Sequence, residues 1–287
     1  MPLDPDILKS CMPIETRHAL TRRDTILYSL GIGVGIGEPG GAEALRFAYE
    51  PELAAFPTMA TILAYPGFWQ REPRFGLDWR RILHGEQSVR IHQPLPVEGV
   101  LVGRTEIDGI FDKGADKGAL IYSRREIRDE ATGDLVATII QGSFLRGDGG
   151  FGGSAEGAPR PHSVPERAPD VTIDLRTRPE QALIYRLSGD YNPLHVDPDV
   201  ARAAGFTRPI LHGLCTYGVA GRAVLAGLCD GEPERLTRID CRFTAPLYPG
   251  ETIRTEIWRE GEGRAAFRSS VAERGVVVLN NGLAEYR

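Results

Sequence analysis

ILHGLCTYGVAGRAVLAGLC, residues 210–229, is apolar almost all round, the pattern of a helix buried on every side rather than one lying on a surface. Gly218, Ala220, Gly221 and Ala223 leave room along it for close approach by neighbouring backbone. Behind it come RIDCRFTAPL (238–247), ETIRTEIWRE (251–260), RAAFRSSVAER (264–274) and VVVLNNGLAEYR (276–287). These segments alternate or run apolar between turn residues, as antiparallel strands do. A long apolar helix followed by a meander predicts a sheet wrapped around that helix.

The first half of the chain echoes this order. SVRIHQPL (88–95), GVLVGRTEI (99–107), ALIYSRREIRDE (119–130) and DLVATIIQGSFLR (134–146) read as strands. Thr21-Arg22 leads through Leu27 to Gly31, and Thr177-Arg178 leads through Ile184 to Gly189. PLPVEGVLVGRTEI from Pro94 likewise echoes PLYPGETIRTEIW from Pro246. Both echoes are offset by roughly 150 residues in the same order, so the reading is a duplicated unit. The expected class is α+β: two antiparallel sheets, each wrapped around a central helix. Gly147 to Asp170 is too rich in Gly, Pro and Ser for a helix or central strand. This gives an N-terminal unit over 1–147, a linker over 148–170 and a C-terminal unit over 171–287. The first-half central segment, PTMATILAY from Pro57, is stopped early by Pro66-Gly67. A shorter helix there predicts space inside the first sheet for something bulky.

Composition bounds the function. Of 287 residues, 41% are hydrophobic and 25% charged, with a net charge of −5, as in globular proteins and without a nucleic-acid footprint. Cys11, Cys215, Cys229 and Cys241 have no zinc-like spacing, and three lie in apolar segments, so reduced thiols are expected. The first residues carry no signal-peptide core, and no run approaches the roughly 18 apolar residues of a membrane span. The expectation is a cytoplasmic protein. Gly35 to Gly40 formally fits a dinucleotide fingerprint, but Pro39 and the antiparallel surroundings make it a loop. Cys215 reads as a packed thiol and the six histidines show no metal spacing.

The most unusual stretch is Ser188-Gly189-Asp190-Tyr191-Asn192-Pro193-Leu194-His195. Pro193 disfavours helix at Asn192 and Gly189 permits a sharp turn, which puts Asp190 and His195 on an irregular loop. There they can converge on one water for general acid–base work, with Asn192 orienting either group. The alternative is an Asx turn that only bonds local backbone. Gly213 opens the buried helix, where unpaired N–H groups and partial positive charge suit an oxyanion site, or where a glycine merely relieves packing.

YRLSGDYNPLH, from Tyr185 to His195, resembles the hydratase motif of the MaoC-like, R-specific (type-2) enoyl-CoA hydratases. TRRDTILYSLGIG, FPTMATIL, LHGEQ, DKG and GGFGG, then GFTRPILHGLCTYG and RFTAPLYPGET, follow in that family's order. The resemblance implies a double hot-dog fold. It implies that Asp190 and His195 activate water, that Asn192 supports them, and that the Gly213 N–H holds the thioester carbonyl oxygen. It also implies that His84, Gly85, Lys113 and Phe243 line the acyl-CoA site. The first half, with Gly31 to Val34 at the echoing position, would be non-catalytic and substrate-shaping. The implied reaction is hydration of a trans-2-enoyl-CoA with a medium, long or bulky acyl group to the (3R)-3-hydroxyacyl-CoA in β-oxidation, with no cofactor and no metal. Paired sheet edges make a homodimer the expected assembly. The rivals are a (3R)-hydroxyacyl-thioester dehydratase of a synthetic pathway, a thioesterase, and a non-catalytic acyl-CoA-binding protein.

Overall fold

The computed structural model describes residues 3–287. Its helices are α1 (Pro5–Ser10), α2 (Arg22–Gly31), α3 (Ala42–Ala48), α4 (Gln181–Tyr185), α5 (Pro198–Ala203) and α6 (Gly213–Cys229). Its strands in the first half are β1 (Ile14–Leu20), β2 (Ile82–Ile91), β3 (Gly99–Asp112), β4 (Ala119–Asp129) and β5 (Leu135–Leu145). In the second half they are β6 (Val171–Arg176), β7 (Leu236–Phe243), β8 (Thr252–Arg259), β9 (Arg264–Val271) and β10 (Val276–Tyr286). Residues 148–170 hold neither helix nor strand.

The two five-stranded halves do not stay separate. They share one ten-stranded antiparallel sheet, ordered β1-β3-β4-β5-β2-β7-β10-β9-β8-β6. The seam is β2 against β7, from Glu86 opposite Arg242 to Arg90 opposite Arg238. Across it Glu86 pairs with Arg242 at 2.9 Å, and the Ser88 hydroxyl donates to Asp240 at 2.6 Å. Sequence periodicity identifies strands but not which edges meet, so this joining was not legible. β1 and β6, the two outer edges, are short strands not read from the sequence, although VTIDLR alternates as an edge strand should.

α6 is the expected 17-residue buried helix. The first half differs: Pro57–Thr61 is a five-residue 3-10 turn, not an α-helix. The chain reverses right after it, with Ala64 at φ 44°, and the Thr61 hydroxyl donates to the Thr58 carbonyl. The space that a helix would have filled is partly packed by Phe47 against Phe56 (ring centroids 4.7 Å), Met59 and Leu63, all buried. Glycines on α6 admit first-half side chains rather than backbone. A Cβ on Gly218 would stand 2.4 Å from Ile32 Cγ2, and one on Gly221 2.6 Å from Thr58 Cγ2. Buried Arg222 crosses the same interface, donating to the Glu43 carboxylate and to the Ile32 carbonyl.

Gly218→Val should therefore destabilise the chain by about 2 kcal/mol through overpacking against Ile32. Urea unfolding should show a lower midpoint with an unchanged slope; an unchanged midpoint would mean that Ile32 gives way freely.

Candidate active site

The loop after α4 is built by its own side chains. Gly189 turns the chain with φ 114°, a value that side-chain-bearing residues rarely adopt. Asp190 Oδ1 accepts the Asn192 N–H at 3.2 Å, and Asn192 Oδ1 accepts the Leu194 N–H at 3.1 Å, capping the short 3-10 turn Pro193–His195. So the Asx turn is present, and it coexists with convergence: Asp190, His195 and His212 each bring a polar side-chain atom within 4.8 Å of the others. The carboxylate is exposed and the two imidazoles are buried, His195 at 8% and His212 at 1% exposure.

Hydrogen bonds fix the tautomers. His195 Nδ1 lies 2.9 Å from the Ile210 carbonyl, and a carbonyl can only accept. The neutral ring therefore carries its proton on Nδ1 and leaves the Nε2 lone pair free. His212 Nε2 lies 3.2 Å from the Asp190 carbonyl and must likewise donate, so its Nδ1 is a bare, buried acceptor without a partner. The rings of His195 and His212 stack with centroids 3.7 Å apart and planes 28° apart.

His212 ties three parts of the site together, a role that no spacing in the sequence announces. It is the N-cap residue of α6, it holds the Asp190 carbonyl, and it stacks on His195. Tyr185, whose ring lies 5.1 Å from His212, packs behind it with a buried hydroxyl that finds no partner. Cys215 is a packed thiol: its Sγ lies 3.3 Å from the Gly31 carbonyl, and burial pushes its pKa up.

Gly213 is exposed as the first residue of α6. A Cβ there would touch the Phe243 ring at 3.3 Å, so glycine keeps the helix end open beside that ring. Phe243 in turn meets His84 edge-on, with centroids 4.8 Å apart. Gly85 is the residue skipped where β2 slips register against β5, between His84 and Glu86. Gly213, Phe243, His84 and Gly85 thus form a continuous wall, with Asp190 close enough to bear on the His84 ring. Lys113 stands apart on the β3–β4 turn, exposed, with its ammonium 5.4 Å from the Phe144 ring centroid. Phe144 borders the Gly85 bulge. The Asn192 side chain bonds neither the Asp190 carboxylate nor the His195 ring: its Oδ1 accepts the Leu194 N–H, and only its backbone N–H reaches Asp190.

Asp112 explains the DKG and GGFGG segments. Its buried carboxylate accepts four backbone N–H groups, from Gly114 and Gly150 at 2.8 Å, Gly152 at 2.9 Å and Gly153 at 3.2 Å. Those bonds to the charged form hold its pKa down. The turn bearing Lys113 is thereby clamped to residues 150–153.

A sheet wrapped around a buried helix, repeated along the chain with the first helix cut to a 3-10 turn, and a carboxylate beside two imidazoles at the N-terminus of α6 define a protein of the double hot-dog class. The comparisons agree. Residues 18–147 match the MFE-2 hydratase 2 N-terminal domain and residues 160–281 the MaoC like domain. The chain is 46% identical over 271 residues to 3-hydroxyacyl-thioester dehydratase Y of Mycobacterium tuberculosis, covering 93% of this chain and 92% of that one. It is 40% identical to probable enoyl-CoA hydratase 2 of Dictyostelium discoideum, covering 95% and 92%. The crystal structure of a MaoC-like dehydratase from Phytophthora capsici superposes with a TM-score of 0.88 at 38% identity, covering 99% of both chains. A Mycobacterium tuberculosis protein with a double hot-dog fold shares the fold alone, with a TM-score of 0.57 at 16% identity over 96% of this chain and 94% of that one. The chain belongs to the MaoC-like hydratase–dehydratase family, on the type-2 enoyl-CoA hydratase side.

Burial lowers the pKa of His84 to about 4 and lowers those of His195 and His212 as well. The unfolded chain therefore takes up protons near pH 6.5 that the folded chain refuses. Stability is full above that value and falls as pH drops from 6.5 toward 4, by up to ~1.4 kcal/mol per pH unit for each such histidine. Urea melts across this range should show the slope, and His84→Gln should flatten it; a flat profile in wild type would contradict the buried neutral rings.

Proposed function

We propose that the protein hydrates trans-2-enoyl-CoA thioesters to (3R)-3-hydroxyacyl-CoA, with Asp190 and His195 as the acid–base pair. The observation that carries this is the free Nε2 of neutral His195 beside the Asp190 carboxylate, at the mouth of the open N-terminus of α6. Relatives named enoyl-CoA hydratase 2 support the reaction class.

A water held between the pair loses a proton to it as the oxygen attacks C3. The thioester oxygen takes up the charge as an enolate, held by the Gly213 N–H, and C2 then receives a proton. One fixed N–H aimed at that oxygen is worth on the order of 3 kcal/mol. His84, Gly85 and Phe243 form the wall against which the thioester lies, and Lys113 meets the CoA phosphates at the far end. Asn192 sets the shape of the loop. The scheme uses no cofactor and no metal. The same pair catalyses the reverse dehydration, the direction that the name of the dehydratase relative records. The reading extends to medium, long or bulky acyl groups in β-oxidation, in the cytoplasm. No helix among the described residues is long and apolar enough to cross a membrane. A homodimer is supported by the two open sheet edges, β1 and β6.

Following the loss of enoyl-thioester absorbance on trans-2-decenoyl-CoA, with chiral analysis of the product, tests this. Asp190→Asn and His195→Gln should each lower kcat at least about 10²-fold. In wild type the acid limb of kcat/KM should lie below pH 6.5, since burial lowers the pKa of His195 and the base fails only on protonation. Unaltered turnover in either variant would remove the mechanism.

Asp112→Asn should raise KM for the CoA thioester severalfold and leave kcat nearly unchanged. The matching N-acetylcysteamine thioester, which lacks the phosphates, should be indifferent to the change. A fall in kcat on both substrates would show that the clamp serves folding and not the CoA end of the site.

A further inference from the structure

Buried polar side chains without partners are rare in a native fold, and each calls for a physical explanation. Four of them lie on or against the inner face of the first-half sheet: Gln70 Oε1, His84 Nε2, Thr105 Oγ1 and Arg125 Nε. They belong to one polar strip. Thr105 lies opposite Arg125 on the neighbouring strand, Ser123 lies two residues from Arg125 on the same face, and Gln141 lies opposite Ser123. Ser143 lies two residues further, accepts from Gln70 at 2.8 Å, and stands opposite His84 in the wall already described. The strip thus crosses four strands, from the thioester wall to Arg125.

Arg125 is the unusual member. It is 5% exposed, and no carboxylate pairs with it among the described residues. Its Nη2 donates to the Thr61 carbonyl at 2.6 Å and more weakly to that of Ala60 at 3.5 Å, while its Nε–H is buried with no acceptor. A buried cation without a counter-charge is costly, and removal of one partner from a buried pair is a common way to expose that cost. Tyr65 stands between this cation and the catalytic loop. The guanidinium lies 5.1 Å from its ring centroid, and its phenol also feels the Asp190 carboxylate. Tyr65 is itself 38% exposed, so its ring joins the buried cation to the surface beside the loop.

Resting on the hydratase reading above, we propose that the polar strip is the far part of the acyl track and that Arg125, with Thr105, receives a carboxylate carried by the acyl group. The preferred substrates are then enoyl-CoA thioesters bearing a second carboxyl group, not plain alkyl chains. A guanidinium presents a planar fork of donors that matches a carboxylate, and the unpaired Nε–H and the Thr105 hydroxyl supply the donors such a group requires.

Saturated acyl-CoA thioesters from hexanoyl to dodecanoyl, each with its ω-carboxy counterpart, are titrated into wild type, Arg125→Met and Thr105→Val. None can be hydrated, so binding is read alone. At the best chain length wild type should bind the ω-carboxy thioester about tenfold or more tightly than the plain one. Arg125→Met should abolish that preference. Thr105→Val, which leaves the Thr61 and Ala60 contacts of Arg125 intact, should cut it severalfold, with plain-chain affinity unchanged. No preference at any length in wild type, or an equal loss on both series in Arg125→Met, would overturn the proposal. Turnover of the corresponding trans-2-enoyl thioesters is assayed in parallel. Its absence on both series would remove the hydratase reading, while the titration would still decide the carboxylate site.

Discussion

The pairing of β2 with β7 is the constraint on which the rest depends. A half sheet leaves a row of unsatisfied backbone groups at its inner edge, and each half satisfies those of the other. Once Glu86 to Arg90 are locked against Arg238 to Arg242, the ends of both strands are fixed side by side. That places His84 and the Gly85 bulge from one half against Phe243 from the other. The N-terminus of α6 then opens beside the same ring, where a Cβ on Gly213 would crowd Phe243 at 3.3 Å. The wall of the site is a product of the seam, while Asp190, His195 and Gly213 come from the second half alone.

Burial of imidazoles does the second part. Desolvation keeps His195 and His212 neutral, and two backbone carbonyls then dictate which nitrogen bears the proton. A neutral His195 with a free Nε2 is a base; its protonated form would be of no use in that role. His212 couples the loop to the helix, so that the carboxylate, the base and the helix N-terminus keep one geometry.

The two halves began as echoes and serve different ends. Where the second half carries Asp190 to His195, the first carries Gly31 to Val34, and these brace the helices on either side of that loop, α4 and α6. The Gly31 carbonyl accepts from the Gln181 amide at 2.7 Å and from Cys215, and Ile32 fills the notch at Gly218. The first half also replaces its central helix with a 3-10 turn. The inner face of its sheet is then shared between apolar packing around Met59 and Leu63 and the polar strip that ends at Arg125.

The sequence by itself determined the elements and the residue types of the chemistry. An all-round apolar helix must be buried, the meander after it supplies the sheet that buries it, and the Gly189-Asp190 turn with Pro193 has few conformations, so α6 and the Asp190–His195 loop were legible. Gly213 was legible too, because the start of a helix can be read locally. Only the tertiary structure decided the joining of the sheets, the 3-10 form of the short first-half segment, the stacking of His212 on His195, the four-bond clamp of Asp112 and the isolation of Arg125. Each of these depends on residues far apart in the chain, or on the absence of a partner. Periodicity reports which way a side chain faces, but not what it meets there.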